Sequence, residues 1–245
     1  MDLAAPFHPA GDHIAVDLAG GRAMFTTRRG GSSTGPYAGF NMGTTTETQP
    51  ADVLDNRRAV QDRLGATLAW GHQVHGTRVA VAQGPPPRAD APEQADGQAT
   101  VTRGVAAMVM VADCLPIALA GEGAVAVIHA GWRGLAAGIV GEGVARMREL
   151  GEHGPLCAAI GPGAGVCCYE VGEEVHAAFP EHGAALRRGR NLDLKAIAAR
   201  ELDRAGVHVV HDVGLCTICS DPSLFFSHRR DHGVTGRQAG LAWLA

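Results

Sequence analysis

The stretch VAAMVMVADCLPIALAGEGAVAVIHAGWRG, residues 105–134, contains two almost unbroken apolar runs. The first run, residues 105–112, ends at Asp113 and Cys114, and the second, residues 124–128, ends at His129. Apolar runs of this length are typical of strands that are buried on both faces of a sheet. Two adjacent strands that end in Cys114 and His129 are expected to place both side chains at one edge of a sheet.

Shorter strand-like and helical segments surround this stretch. Helical spacing of apolar residues covers residues 52–64, 135–150, 173–179 and 192–205, with Gly65 as a C-cap and Asn191 or Asp193 as an N-cap. Strand-like runs cover residues 23–27, 77–82, 156–160, 207–213 and 240–245, and the Pro/Gly/Asp-rich residues 84–97 read as an exposed loop. This mixed order predicts one α+β domain with layered sheets over residues 1–245.

Composition excludes several classes of protein. Hydrophobic residues make up 46% of the 245-residue chain and charged residues 19%, which is typical of a globular domain. The net charge of −4 and the 4% of aromatic residues argue against nucleic-acid and membrane partners. No apolar run reaches the roughly 20 residues of a membrane span, and the N-terminus lacks a signal-peptide pattern. We expect a cytoplasmic monomer with its six cysteines reduced.

Three short motifs supply candidate metal ligands: His75 in HQVHG, Cys114 in ADCLP and His129 in HAGWRG. Two imidazoles and one thiolate are a typical protein ligand set of a catalytic zinc site, which leaves one position open for water or substrate. His72 lies three residues before His75, and an extended chain would point these two side chains to opposite faces. The sequence therefore predicts that His75 binds the metal and His72 does not.

The cysteines of a second motif form half of a zinc-ribbon pattern. Cys216 and Cys219 are spaced as C-x-x-C, but the sequence has no second C-x-x-C pair. Cys167 and Cys168 are adjacent, and in extended chain their side chains would point apart. We therefore predict that Cys216 and Cys219 are structural thiols without a metal.

Several motifs together resemble the YfiH/YlmD family, also described as laccase-domain or multicopper polyphenol oxidoreductase proteins. The resemblance rests on TRRGGSSTGPYAGFNMG (27–43), QVHG (73–76), ADCLPI (112–117), HAGWRG (129–134), IGPGAGVCCYEVG (160–172), CT (216–217) and FFSHRRDHGVTGRQAG (225–240). It implies an α/β/β/α sandwich of mixed sheets and zinc ligands at His75, Cys114 and His129. The departures are Ser32, Gly39, Phe40 and Met42, all around Asn41 and outside the ligand motifs.

The resemblance implies three different activities. The first is zinc-dependent phosphorolysis of adenosine, inosine and methylthioadenosine with adenosine deamination, and we predict this one, with phosphate and a purine nucleoside as partners. The alternatives are a hydrolase that edits peptidoglycan precursors in the cytoplasm and a copper-dependent polyphenol oxidase. Copper binds most nitrogen and sulfur sites more tightly than zinc, but the chain has no His-x-His pair. A hydrolase with Cys114 as nucleophile and His75 or His129 as base also stays open.

Further residues are candidates for catalysis and substrate binding. Arginine forks suit phosphate, hydroxyl and amide groups suit ribose, and a carboxylate can transfer protons. The predicted substrate-binding residues are Arg28, Ser33, Asn41, Arg133, Arg229 and Arg230, and the predicted catalytic residues are His75, Cys114, His129 and Glu170. Solvated arginines, a turn role for Asn41 and a helix-capping role for Glu170 are the alternatives. Asp113 is a candidate for orienting a ligand imidazole if its strand is irregular.

Overall fold

The computed structural model describes residues 3–44, 49–182 and 186–245. Two six-stranded sheets and a two-stranded ribbon account for the strands in this part of the chain. The strands are β1 (His8–Ala10), β2 (His13–Leu18), β3 (Gly21–Phe25), β4 (Thr67–Ala69), β5 (Val79–Val81), β6 (Gly97–Thr100), β7 (Val105–Val111), β8 (Leu115–Ala120), β9 (Val125–Ala130), β10 (Cys157–Ile160), β11 (Arg187–Arg188), β12 (Asn191–Leu192), β13 (Val209–Asp212) and β14 (Gln238–Leu244).

Five α-helices and two short 3₁₀ turns connect the strands in the described ranges. The helices are α1 (Pro50–Leu64), α2 (Trp132–Ala136), α3 (Ile139–Glu149), α4 (Glu173–Ala177) and α5 (Leu194–Arg204), and the 3₁₀ turns are Gly35–Tyr37 and Pro180–His182. None of these helices has the length and apolar character needed to cross a membrane.

The two large sheets are mixed and face each other. The strand order is β1-β2-β3-β14-β7-β4 in the first sheet and β13-β10-β8-β9-β6-β5 in the second. Most pairs are antiparallel, whereas β4–β7, β5–β6 and β10–β13 are parallel. Helices cover the outer faces, so the predicted α/β/β/α sandwich is confirmed. That the domain begins and ends at residues 1 and 245 stays a prediction.

Alternation along the strands builds three apolar layers. On β8, Ile117 and Leu119 pack outward against helices α3 and α5, whereas Ala118 and Ala120 face the first sheet. The central layer is rich in alanine, including Ala107 from β7 opposite those residues. Helix α1 covers the outer face of the first sheet through Val60. Side chains of alternating direction are what a strand buried on both faces requires.

One topological expectation is wrong, and its correction locates the site. The two apolar runs that opened the sequence become β7 and β9, which lie in different sheets rather than side by side. The chain leaves the first sheet after Val111 and enters the second at Leu115, so Cys114 lies at the crossover. The intervening strand β8 escaped prediction because Pro116 lacks the N–H that an internal strand normally donates.

A second expectation, a continuous helix over residues 135–150, is also wrong. The chain forms α2 and α3 instead, and Gly138 separates them with a left-handed φ of 93°. The other helix signals are confirmed. Gly65 ends α1 in the left-handed conformation, and the Asp193 side chain accepts a hydrogen bond from the N–H of Ala196 at 3.0 Å to cap α5.

Candidate metal centre

The structure brings His75, Cys114 and His129 together. One ligand atom from each lies within 4.8 Å of the others. The Cys114 Sγ is 3.9 Å from the His75 Nε2, and the two imidazole centroids are 4.8 Å apart. We call these three residues the His/Cys group. His129 is buried, Cys114 is half-buried and His75 is exposed, so solvent reaches the group from the His75 side.

Strand pairing explains why Cys114 and His129 meet. Cys114 directly precedes β8, and β8 pairs with β9 so that Pro116 lies opposite His129. The third member, His75, sits in a loop with a left-handed φ of 60°. Gly131 leaves the space that the Cys114 and His75 side chains need, since a Cβ there would lie 3.0 Å from both the Cys114 Sγ and the His75 Cδ2.

Asp96 holds this arrangement in place, a role that was not predicted from the sequence. The carboxylate is fully buried and accepts hydrogen bonds from the backbone N–H groups of Val74, His75 and Gly76 at 2.8–3.0 Å. Its Oδ1 also lies 2.8 Å from the His129 Nδ1. A buried carboxylate of this kind selects the tautomer and orientation of a ligand imidazole. It leaves the His129 Nε2 available for a metal.

Asp113 does not orient a ligand imidazole, which was the role suggested for it from the sequence. Its Oδ1 accepts a hydrogen bond from the Thr217 hydroxyl at 2.6 Å, and its Oδ2 accepts one from the Arg229 backbone N–H at 2.7 Å. The residue adopts a left-handed φ of 85°, which turns its side chain toward these partners. Asp113 therefore holds the loops around Thr217 and Arg229 against the crossover, whereas Asp96 contacts the imidazole of His129.

The electrostatics of the His/Cys group favour separated charges in the metal-free protein. Burial alone would raise the pKa of the Cys114 thiol, but the nearby His129 and His75 outweigh it and lower the pKa to about 6. Burial alone would lower the pKa of His129, but the Cys114 thiolate and Asp96 raise it to about 9. At neutral pH the pair is therefore a thiolate beside an imidazolium.

The His/Cys group opens into a cleft of about 790 Å³. This volume suits a small organic ligand. Its walls combine apolar and aromatic surface with three arginines and other polar groups, among them Trp70, His72, Gln73, Tyr169, His228, Arg57, Arg229 and Arg237. His72 therefore lines the cleft without belonging to the His/Cys group.

Of the six predicted substrate-binding residues, only Arg229 lines this cleft. Arg28 donates to the Ala38 carbonyl and stacks on Phe226. The Arg230 guanidinium pairs with Asp231 and donates to the carbonyls of Thr217 and Phe225, and the Ser33 hydroxyl accepts from Asn56. Asn41 is fully buried and bonds to the backbones of Gly43 and Arg237. These four residues build the loops around the cleft.

Arg133 and Glu170 lie in a neighbouring depression of about 350 Å³. Arg133 is exposed and stacks on Trp132, with its guanidinium carbon 4.3 Å from the ring centroid. The Glu170 carboxylate forms an ion pair of 2.8 Å with Arg190 and does not cap helix α4, whose N-cap is Gly172. The depression shares Tyr169 and Arg229 with the main cleft. A catalytic role for Glu170 stays a prediction.

Arg57, Trp70 and Arg237 line the cleft but were not predicted from the sequence. Arg57 is buried on α1 and donates to the Met42 carbonyl, Arg237 directly precedes β14, and Trp70 stacks under the Arg57 guanidinium at 4.5 Å. The arginine of the TGRQ motif, Arg237, was part of the quoted resemblance and gave a usable signal. Burial lowers the pKa of Arg57 to about 10 and shifts that of Arg237 downward as well.

One prediction about the remaining cysteines is wrong, namely that the side chains of Cys167 and Cys168 point apart. Cys167 and Cys168 lie in a hydrogen-bonded turn rather than in extended chain, so their side chains converge. One sulfur from each of Cys167, Cys168, Cys216 and Cys219 lies within 4.8 Å of the others. We call these residues the four-cysteine cluster.

A mixed α/β/β/α sandwich with a His/Cys group that opens into a cleft defines a class of α+β proteins with a candidate metal site. The chain belongs to the YfiH/YlmD family within it. The model of the family described as multi-copper polyphenol oxidoreductase laccase matches residues 22–245.

Relatives and solved structures agree with this assignment. The chain is 38% identical to a purine nucleoside phosphorylase of Corynebacterium glutamicum, with 91% of this chain and 94% of the relative covered. It is 35% identical to the purine nucleoside phosphorylase YfiH of Shigella flexneri, with 91% and 93% covered. The crystal structure of YfiH from Bacillus licheniformis superposes with a TM-score of 0.90 at 29% identity, covering 99% of this chain and 100% of that one.

Proposed function

We propose that the protein is a zinc-dependent purine nucleoside phosphorylase that acts on adenosine, inosine and methylthioadenosine. Relatives that are 35% and 38% identical carry the name purine nucleoside phosphorylase. The observation that carries the proposal is the opening of the His/Cys group into a cleft that also contains Arg229 and Arg237. A metal-binding group and anion-binding guanidinium groups in one cavity suit a reaction between a neutral nucleoside and phosphate.

The residues of the His/Cys group fit a zinc ion. Two imidazoles and a thiolate are a known ligand set of catalytic zinc, and Asp96 supports His129 in the way that carboxylates support zinc-binding histidines. A zinc ion held by these three residues would supply Lewis-acid polarisation of a substrate oxygen. The same donor set accepts copper, and metal analysis of the purified protein distinguishes the two.

The chain's own groups account for substrate binding and orientation. Arg229 and Arg237 provide guanidinium groups that bind phosphate, and Trp70 and Tyr169 provide aromatic faces for the purine. Burial raises the pKa of Tyr169 to about 12, so its hydroxyl keeps its proton as a hydrogen-bond donor. In phosphorolysis, a phosphate oxygen bonds to the ribose C1′ as the glycosidic C–N bond breaks, and the departing base takes a proton.

Adenosine deamination is the second activity we propose for the same site. Water would add to C6 of the purine and the amino group would leave as ammonia, whereas phosphate bonds to C1′ of the ribose; we propose that both reactions use the cleft beside the His/Cys group. Editing of peptidoglycan precursors and phenol oxidation remain alternatives from the family resemblance. That the protein is cytoplasmic and monomeric stays a prediction.

The decisive experiment measures release of free base from adenosine, inosine and methylthioadenosine with and without phosphate. We expect formation of base and ribose 1-phosphate in proportion to phosphate, and phosphate-independent conversion of adenosine to inosine. Arg229→Ala should raise the KM for phosphate by about 10-fold, because a charged hydrogen bond of about 1.5 kcal/mol is lost. Arg58→Ala is the matched control, since Arg58 is exposed on α1 and pairs with Asp55.

Absence of base release at every phosphate concentration would refute the phosphorylase proposal. Cleavage of a muramyl-alanine or muramyl-serine precursor under those conditions would support the editing hydrolase instead. Oxidation of phenols by the copper-loaded protein would support the oxidase.

Proton release on zinc binding provides an independent test of the ligands. Between pH 6 and 9 the metal-free pair keeps one proton on His129, because the pKa of Cys114 is about 6 and that of His129 about 9. Zinc binding must displace that proton, so we expect release of about one proton at pH 7.5. Calorimetric titrations in buffers of different ionisation enthalpy measure this number. Binding without proton release at pH 7.5 would contradict the ligand assignment.

The thiolate character of Cys114 also supports a competing chemistry. A cysteine with a pKa of about 6 beside two imidazoles can act as a nucleophile without a metal. Full turnover by metal-free protein, abolished by alkylation of Cys114, would identify a Cys–His hydrolase and overturn the zinc proposal. We expect the metal-free protein to be inactive and zinc addition to restore its activity.

A further inference from the structure

The four-cysteine cluster lies apart from the His/Cys group, on the loops that follow β10 and β13. Its sulfurs come from two turns, and one pair, Cys167 and Cys219, has a sulfur–sulfur distance of 3.5 Å. All four sulfurs lie within 4.8 Å of one another. Tetrahedral zinc with bonds of 2.3 Å to sulfur holds its ligands about 3.8 Å apart. The four sulfurs therefore lie close enough together for a four-thiolate site.

Local backbone structure gives each pair its convergence. In the first turn the N–H groups of Cys168 and Tyr169 donate to the Gly165 carbonyl, which curls the chain and brings the adjacent cysteines to one side. In the second turn Ser220 donates to the Cys216 carbonyl. The two turns are joined by a parallel bridge between Gly163 and Cys216. The cluster is therefore a product of two defined turns, not of chance proximity.

A second observation points to a metal ligand at Cys216. The buried sulfur of Cys216 accepts a hydrogen bond from the Gly165 N–H at 3.2 Å. Backbone N–H groups of Gly165, Ile218 and Cys219 are all directed at this sulfur. Backbone donors directed at sulfur favour the thiolate, which is the form that binds metals.

Gly165 provides the space for this contact. A Cβ at position 165 would lie 3.1 Å from the Cys167 Sγ and 3.2 Å from the Cys216 Cβ. The bare backbone at this position can therefore approach both halves of the cluster. Close approach of backbone to a bound group is one of the uses of glycine in proteins.

We propose that Cys167, Cys168, Cys216 and Cys219 bind a second metal ion, a structural zinc, separate from the His/Cys group. Four thiolates are soft ligands that select zinc among the common divalent ions, and a complete set of four leaves no position for substrate. The proposal does not depend on the function proposed for the cleft.

The position of the cluster indicates what such an ion stabilises. Tyr169 directly follows Cys168 and lines the cleft, and Thr217 directly follows Cys216 and donates to Asp113 beside Cys114. A metal between the two turns would join the Tyr169 wall of the cleft to the loop that holds the crossover. It would act as a cross-link between segments about 50 residues apart in sequence, which reduces the entropy of the unfolded chain.

Metal stoichiometry tests the proposal. Protein purified with reductant from zinc-supplemented cells should contain two zinc ions per chain. Cys167→Ala and Cys219→Ala should each contain one fewer and have a lower Tm, and His129→Ala should also contain one fewer through loss of the other ion. Cys157→Ala is the matched control, because Cys157 is buried in the core outside both groups and should leave the zinc content unchanged.

Cobalt spectroscopy tests the cluster with all four cysteines in place. Cobalt titration of metal-free His129→Ala protein should give the intense sulfur-to-metal charge-transfer bands of a four-thiolate tetrahedral site. Zinc content that is unchanged in both Cys167→Ala and Cys219→Ala, or a cobalt spectrum without such bands, would overturn the proposal. So would a thiol count showing that Cys167 and Cys219 form a disulfide in the protein as isolated.

Discussion

His129→Ala is expected to lose the zinc of the His/Cys group and to reduce phosphorolysis more than about 1000-fold, because Lewis-acid stabilisation worth several kcal/mol disappears. The fold should survive, since Asp96 keeps its three backbone donors when the imidazole is removed. Zinc per chain, turnover and circular dichroism measure the three outcomes. His75→Ala should behave in the same way, because it removes another ligand of the same ion.

His72→Ala is the control that separates ligands from cleft residues. His72 lines the same cleft but lies outside the His/Cys group, so this variant should keep its zinc. Loss of zinc from His72→Ala would show that the wrong histidine was assigned. Global unfolding of His129→Ala would show that the ion is a structural element of the fold.

Asp96→Ala is expected to cost both stability and metal affinity. The substitution removes the acceptor of three backbone N–H groups and one imidazole, and each buried donor left without a partner costs about 1–3 kcal/mol. Loss of a carboxylate that supports a zinc-binding histidine lowers metal affinity about 10–100-fold. Chemical denaturation of metal-free protein measures the first effect and zinc competition the second.

The pH dependence of this effect has a defined sign. Burial would raise the pKa of Asp96, but the His129 hydrogen bond and the N–H groups of Val74 and Gly76 hold it below its ordinary value of 3.8. The stabilisation is therefore present above pH 3.8 and is lost as the pH falls through the lowered pKa of the folded protein. The difference between wild type and Asp96→Ala should shrink at acid pH.

Asp90→Ala is the matched control for Asp96→Ala. Asp90 belongs to the same loop but is exposed, and it forms a surface ion pair with Arg88. Its removal should change the free energy of unfolding by less than about 0.5 kcal/mol. Equal effects of the two substitutions would contradict the role assigned to Asp96.

The sequence located the His/Cys group better than it located the sheet around it. His75, Cys114 and His129 stand out because each lies in a short motif next to glycine or proline at the end of an apolar segment. Periodicity shows that a strand is buried but not which sheet contains it, so β7 and β9 were wrongly placed side by side. Strand β8 was not predicted because it contains Pro116. The helix predicted over residues 135–150 is interrupted at Gly138, although its apolar spacing continues past that residue.

The missed residues depend on contacts between distant segments. Asp96 lies at the end of a Pro/Gly/Asp-rich loop, where acidic residues are usually solvated, yet its carboxylate is enclosed by the loop of His75 and by β9. Arg57 and Arg237 lie 180 residues apart in the sequence, and both line the cleft only in the folded protein. The convergence of Cys167 and Cys168 depends on turn geometry that residue spacing alone does not specify.

The alanine-rich layer between the two sheets sets the span of the cleft. Cys114 and His129 are attached to the second sheet, whereas Met110 and Arg237 belong to β7 and to the entrance of β14 in the first. Any sliding of one sheet over the other would alter the gap between the sulfur and imidazole donors and the guanidinium that faces them. The layer is closely packed, so a bulkier side chain there would push the sheets apart and change this gap without contacting any ligand.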